Sequence, residues 1–228
     1  VIDLQIGEGT FLQNQGDKRT LRVEKIRAHR GMISDRRGKP LAISTPVSSV
    51  WANPRSVDLS EDQTIALADL LNLDPVLLKQ KLDSDKSFVY LRRHLLPEKL
   101  KLLSEMSLKG IESEREFKRF YPAGEVAAHV VGFTDIDDSG QEGIELSYNE
   151  WLKGVSGEKE VIKDLHGRVI KDLRPISEAQ PGRSLSLSLD MRVQYHAYRE
   201  LKSAVHFYAA ESGSIVIMDV RSGEVISM

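Results

Sequence analysis

The chain has 228 residues, 40% hydrophobic and 29% charged, enough to bury roughly 70% of its unfolded surface without a covalent staple and too apolar for a disordered chain. Its 32 Lys+Arg and 34 Asp+Glu leave a net charge of -2, and Cys is absent. The charge gives no global reason to expect nucleic-acid binding, and the missing cysteines exclude disulfides, thiolate metal sites and a cysteine nucleophile while leaving the compartment open.

No apolar run approaches the roughly 20 residues of a membrane span, and no signal peptide is visible. The chain opens at Val1 without an initiator methionine, so preceding sequence is expected. Val1–Leu12 mixes apolar residues with a Gly-Glu-Gly turn and predicts one strand. Lys18–Lys39 is basic, with nine Lys/Arg against Glu24 and Asp35. Leu41–Trp51 is apolar and β-branched and predicts a strand and turn. Ser60 and Gln63 form a capping box ahead of Ile65, Leu67, Leu70 and Leu71. Asp74-Pro75 is an N-cap with proline at the first helical position, opening a helix over Val76–Leu82. Phe88–Leu91 reads as a short strand, and Pro97 opens another helix carrying Leu100, Leu102, Leu103 and Met106. Leu59–Ser107 is thus a helical insert between β segments.

From Gly110 the pattern is irregular and β-like. Asp135–Glu150 holds six Asp/Glu and no Lys or Arg. Part of the basic stretch is expected to pair with it, because an uncompensated cluster repels itself. Glu160–Leu173 alternates apolar positions around a His166-Gly167 turn. Leu185, Leu187 and Leu189 alternate with serines in a half-buried strand. Asp190 caps a helix whose Val193, Ala197, Leu201, Ala204, Val205 and Tyr208 recur every three or four residues. Ser214–Val220 and Glu224–Met228 form a hairpin around Arg221-Ser222-Gly223. A lone hairpin is marginal in water. Its sheet lies either in further sequence or a partner, or on upstream strands, and hairpin physics leaves both open.

Several motifs suggest chemistry. Ser156-Gly157-Glu158-Lys159 matches the Ser-x-x-Lys of acyl-enzymes, which needs the serine and lysine one helical turn apart. Gly154 and Gly157 favour a turn there instead. Ser147-Tyr148-Asn149 matches Ser-x-Asn but precedes the Ser-x-x-Lys, and no Lys-Thr-Gly or Lys-Ser-Gly occurs. Asp135, Asp137, Ser139 and Gly140 match half of a calcium loop, but the twelfth position is Leu146 where a glutamate is needed. An Asp/Ser/Gly turn on a solvated acidic loop is the preferred reading. The six histidines show no ligand spacing, and His129, between Ala128 and Val130, reads as a hydrogen-bonded core histidine. No metal and no cofactor is expected.

Arg30-Gly31-Met32-Ile33-Ser34-Asp35-Arg36-Arg37-Gly38-Lys39-Pro40-Leu41-Ala42 resembles the Arg-Gly-x-x-x-Asp-Arg-x-Gly-x-x-Leu-Ala box of class B penicillin-binding proteins. Three further matches follow in the family's order. Arg119-Phe120-Tyr121-Pro122-Ala123-Gly124 leads to Ala127-Ala128-His129-Val130-Val131-Gly132. Gly143-Ile144-Glu145 is followed by Trp151-Leu152-Lys153-Gly154 and Gly157. Leu185–Asp190 leads through Gln194 to Ser212-Gly213-Ser214-Ile215-Val216. The wording resembles most the septal FtsI-type branch, the peptidoglycan D,D-transpeptidases of cell division.

The resemblance implies an α+β fold: an elongated mixed pedestal with a small helical subdomain, then the first helix and hairpin of a transpeptidase domain. Residues 1–58 and 108–183 would form the β-rich pedestal core, 59–107 the helical insert, and 184–228 the start of the transpeptidase domain. It further implies a cytoplasmic tail and one membrane helix before Val1. The location would be the periplasmic side of the bacterial inner membrane at the septum. The partners would be a SEDS-family glycosyltransferase and other divisome membrane proteins, with nascent peptidoglycan met through the later domain and no nucleic acid. The family's catalytic boxes lie beyond this point, so the chain is expected to be inactive by itself. Physically, Gly31 and Gly38 permit tight turns, as box positions Gly124 and Gly143 would. Arg30, Arg36 and Arg119 offer fork-shaped donors to Asp35 and Glu145, a charge network tying the boxes together. Separate surface pairs, each worth little, are the other reading. At the level of function, an independent periplasmic or cytosolic binding module is the alternative, although it leaves the ordered boxes unexplained.

Overall fold

The computed structural model describes residues 21–163 and 169–228. The strand expected within Val1–Leu12 and the His166-Gly167 turn lie outside them. In chain order the strands and helices are β1 (Leu21–Ile26), β2 (Ile33–Ser34), β3 (Pro40–Ala52), α1 (Glu61–Leu71), α2 (Pro75–Leu82), β4 (Val89–Leu95), α3 (Pro97–Glu105) and β5 (Ile111–Phe120). They continue with α4 (Ala128–Val131), α5 (Gly143–Ser147), α6 (Asn149–Leu152), β6 (Gly157–Lys163), β7 (Val169–Ser177), β8 (Leu185–Ser186), α7 (Met191–Phe207), β9 (Ile217–Met218) and β10 (Val225–Ser227). The fold class is α+β, with antiparallel strand pairs, the parallel pair of β2 with β8, and helices that follow strands along the chain. No helix among the described residues is long and apolar enough to cross a membrane.

Two compact units divide the chain, and each is built from three separate stretches. Of the described residues, the first takes 21–27, Pro46–Glu116, 156–163 and 169–179. Its helical part starts where the caps place it. Ser60 Oγ accepts from Gln63 N at 3.2 Å, and Gln63 Oε1 accepts from Ser60 N at 2.9 Å. Helix α1 then buries Leu67, Ala68 and Leu71 and stops at Asn72, which turns left-handed with φ 51°. Asp74 Oδ1 accepts from Val76 N at 2.7 Å, and Pro75 opens α2. The apolar faces of α1, α2 and α3 meet β3 and β4 around Val50, Leu67, Leu71, Leu78, Leu91 and Leu103. Each such leucine contributes about 1.5–3 kcal/mol on burial. The same unit holds a three-stranded antiparallel sheet in the order β1-β6-β7, with Leu21 opposite Ile162 and Ile26 opposite Gly157.

Strand β1 lies inside the basic stretch, where charge alone did not signal it. Cross-strand pairs balance the charges of this sheet: Lys159 meets Glu24 at 3.3 Å, and Arg174 meets Glu160 at 2.8 Å. Ser156 sits just before β6 and Lys159 within it. On a strand, residues three apart point to opposite faces, so this pair cannot adopt the acyl-enzyme arrangement.

The second unit takes Ala28–Thr45, Phe117–Val155 and Gln180–Met228. Its core gathers Ile33, Leu41, Ala42, Ala127, Val131, Leu152 and Met191. Strand β2 pairs antiparallel with the start of β3, Ile33 opposite Ala42, and parallel with β8, Ile33 opposite Leu185. The parallel bonding runs on past β8: Leu187 N donates to Ser34 O, and Arg36 N donates to Leu189 O, both at 2.9 Å. The segment read as irregular or acidic contains three short helices, α4, α5 and α6. Helix α7 starts at Asp190, whose carboxylate accepts from Arg192 N at 3.0 Å. Its buried stripe is Met191, Gln194 and Ala197, while Tyr208, expected on the packed face, is 76% exposed. Strands β9 and β10 pair only with each other among the described residues. The hairpin is held by α7: Gln194 Oε1 accepts from Ser227 Oγ at 2.9 Å and from Met228 N at 3.0 Å.

Candidate functional site

Three of the box residues converge in the second unit. Arg30 precedes β2, Arg119 ends β5, and Glu145 lies in the first turn of α5. Glu145 is fully buried and receives one guanidinium on each carboxylate oxygen. Arg30 Nε donates to Oε2 and Arg119 Nε to Oε1, both at 2.7 Å. Arg30 uses its remaining donors on Glu145 O at 2.7 Å, Asn149 Oδ1 at 2.9 Å and Asp138 O at 3.1 Å. Arg119 Nη1 donates to Ser44 Oγ at 3.2 Å. One carboxylate thereby joins the segments before β2, at β5 and at α5. Removing one member of such a buried group strands an uncompensated charge.

Asp138 stands beside this cluster. Burial pushes its carboxyl up to about 6; Arg119 and Arg30 oppose the rise, and Glu145 and Asp135 add to it. Asp135 is engaged otherwise, its Oδ1 accepting from Asp137 N at 2.9 Å and Ser139 N at 3.0 Å. This is the local Asx geometry of a turn.

Asp35 and Arg36 lie elsewhere in the unit. Asp35 is buried and organises its own loop. Its Oδ1 accepts from Arg37 N at 2.9 Å and Lys39 N at 2.8 Å, and its Oδ2 accepts from Met191 N at 3.2 Å, at the first turn of α7. Arg36 meets Glu224 at 3.0 Å in an exposed pair, and Arg37 meets Asp190 at 3.1 Å. Gly38 has φ 79°, which the turn under Asp35 requires. Gly31 has no room for a side chain, because a Cβ there would collide with the backbone carbonyl of Arg183. Gly124 opens a single 3-10 turn and Gly143 begins α5. His129 is exposed on α4 and not a core residue. A four-residue helix buries one face, and Val131 occupies it.

A second buried carboxylate, in the first unit, escaped the reading of the sequence. Glu116 on β5 is 1% exposed. Arg27 approaches it at 2.8 Å and Arg93 at 2.9 Å, and Ser49 Oγ donates to it. His94 Nε2 lies 3.7 Å away. Burial alone would raise the Glu116 carboxyl, but hydrogen bonds from Arg93 and Ser49 and the charges of Arg27 and Arg93 outweigh it and hold it below the ordinary value. Next to it, Tyr90 donates its hydroxyl to Glu114, and burial with that bond pushes the phenol up to about 12. The signal that could have revealed this site is Glu112, Glu114 and Glu116 in alternation. On a strand they share one face, and a buried acidic face demands cations.

In both clusters the buried carboxylate is held by two arginines and joins separate chain segments. The arrangement in the second unit follows the boxes, and the boxes mark a lineage. Residues 25–187 match the family model for the Penicillin-binding Protein dimerisation domain. The chain belongs to that family. It is the pedestal region of an FtsI-type class B penicillin-binding protein. It is 42% identical, over 99% of its length, to the peptidoglycan D,D-transpeptidase FtsI of Escherichia coli (strain K12), and covers 39% of that protein. Against the probable peptidoglycan D,D-transpeptidase PbpC of Pseudomonas aeruginosa the identity is 37% over 100% of the chain and 41% of the relative. The chain thus spans about two fifths of the length of these relatives. The fold is shared with a penicillin-binding protein of Helicobacter pylori solved in complex with MreC. That likeness has a TM-score of 0.64 at 22% identity and covers 90% of this chain and 42% of that one.

Proposed function

We propose that this pedestal orients the catalytic domain of a cell-division peptidoglycan transpeptidase and docks its membrane partners. The observation that carries this reading is the Asp35 loop. The family match ends at residue 187, and the residues just beyond it are tied back to the first box. Asp35 accepts from Met191 N, Arg37 pairs with Asp190, and Arg36 pairs with Glu224. Such bonds turn the start of the following segment into an extension of the pedestal, so its direction is inherited and not free. Residues 184–228 are on this reading the beginning of the transpeptidase domain, 59–107 a helical insert, and 1–58 with 108–183 the pedestal core.

The whole protein would work at the septum, on the periplasmic side of the inner membrane, beside a SEDS-family glycosyltransferase and other divisome proteins. The Helicobacter relative, solved with MreC, supports a docking role for the fold. Acylation by β-lactams would belong to the later domain. Two measurements test this. The intact mass of the chain is expected to stay unchanged after incubation with a β-lactam, and an adduct on Ser156 would overturn the non-catalytic reading. In the full-length protein, Asp35→Ala is expected to slow β-lactam acylation several-fold and to raise amide exchange over 189–195. Unaltered acylation with loosened amides would remove the orienting role.

A further inference from the structure

Five charged groups from four segments meet around the loop of residues 135–140. Arg30 comes from the segment before β2, Arg119 from β5, Glu145 from α5, and Asp135 and Asp138 from the loop itself. With every group ionised they sum to one excess negative charge. The partners decide which carboxylate is best placed to take a proton. Glu145 receives both guanidinium groups at 2.7 Å, one on each carboxylate oxygen. Asp135 receives two backbone N–H groups, and the Gln141 side-chain amide at 3.1 Å. Asp138 differs, since its buried Oδ1 has no hydrogen-bond partner among the described residues. Its backbone is committed all the same: φ is 65°, and its carbonyl accepts from Arg30.

We propose that Asp138 is the proton acceptor of this cluster and makes the loop a pH-responsive latch, which is held more firmly in its folded form as the medium becomes mildly acidic. A single proton on its carboxyl removes the excess charge and relieves a half-buried carboxylate whose Oδ1 lacks a donor. The direction agrees with the effect of burial, which raises Asp138 to about 6. An unfolded aspartate titrates near ~3.9, so the folded state binds the proton more tightly. Stability is therefore gained as pH falls from about 6 toward ~4, and is lost as pH rises through that window.

The test is a carboxyl carbon NMR titration of the whole chain. One aspartate is expected to titrate with a midpoint near 6, and its signal to vanish in Asp138→Asn. Midpoints near 4 for every aspartate overturn the proposal. Amide exchange over 135–140, corrected for intrinsic pH dependence, is expected to slow between pH 7.5 and pH 5 in the parent chain and not in Asp138→Asn. Identical pH dependence in the two overturns the latch. The melting temperature of Asp138→Asn is expected to exceed that of the parent at pH 7.5, with the gap closing toward pH 4.5. A gap independent of pH reflects only the ease with which asparagine adopts positive φ, and also overturns the proposal. Should the variant fail to fold, the parent's own titration decides.

Discussion

Each unit of this chain is built around one buried glutamate clamped by two arginines, yet the two clamps differ in how far water reaches them. In the second unit the side chains of Arg30 and Arg119 are 1% and 2% exposed around Glu145. In the first, Glu116 is as deeply buried, but the Arg27 side chain is 39% exposed and that of Arg93 15%. A stranded arginine can reach solvent in the first unit and has nowhere to go in the second. Cations decide what a buried carboxylate is worth, because the cost of breaking the pair is the cost of the charge left behind. The same two stretches of sequence supply two members of each site: Arg27 and Arg30 are three residues apart, as are Glu116 and Arg119, while Arg93 and Glu145 come from elsewhere.

Substitution of each glutamate by glutamine tests this difference most strongly. Glu145→Gln is expected to cost about 3–5 kcal/mol, read by denaturant unfolding with Trp151 as the sole tryptophan of a Trp51→Phe background. Glu116→Gln is expected to cost less, about 2 kcal/mol, since hydrogen bonds to charged groups are partly replaced by water there. Trp51 is its reporter in a Trp151→Phe background. Equal costs would break the comparison. Acid offers a second route to Glu116. Its folded carboxyl is held below the ordinary value, so its contribution is present above the unfolded glutamate range and is lost as pH falls beneath it. The Trp51 signal should therefore weaken only below about pH 4.5. The Trp151 signal should strengthen between pH 7 and pH 5, through Asp138.

Local features set a smaller scale. Ser60→Ala removes half of a capping box and is expected to cost about 1 kcal/mol, seen by Trp51 and not by Trp151. Smallest of all is the exposed pair of Arg36 with Glu224, whose side chains are 37% and 46% exposed. A double-mutant cycle there should give a coupling below about 0.5 kcal/mol. The same cycle on Arg30 and Glu145 should give one of about 2–3 kcal/mol. A coupling near zero at Arg30 would reduce the clamp to an ordinary pair.

Helix starts were legible in the sequence because a cap is a local event: Ser60 with Gln63, Asp74 with Pro75, and Asp190 each announce themselves within four residues. The boxes were legible as wording, and Arg30, Arg119 and Glu145 do meet. Their pattern alone could not separate them from Asp35 and Arg36, which carry the same charges and serve a different loop. Helices α4, α5 and α6 have four or five residues, fewer than two turns, so no period could reveal them. Strand β1 was hidden because alternating charges such as Arg22 and Glu24 read as a solvated stretch. Glu116 was hidden because three alternating glutamates look alike until the fold buries one, with Arg93 and Ser49 bonded to it and Arg27 shared between it and Glu114.

The chain enters each unit three times, and this dictates an order of completion. The second unit cannot close until residues from Gln180 onward are available, since Met32 bonds Ser184 across 152 residues and Ile33 aligns with Leu185. The first unit has its last stretch, Ser156–Ala179, in hand before that. Loop closure over such distances is slow. A chain delivered from its N-terminus therefore has every stretch of the Glu116 unit present while strand β2 still waits for its parallel neighbour. During that interval Ile33 and Leu41 are exposed to any chaperone, or to any other unfinished copy.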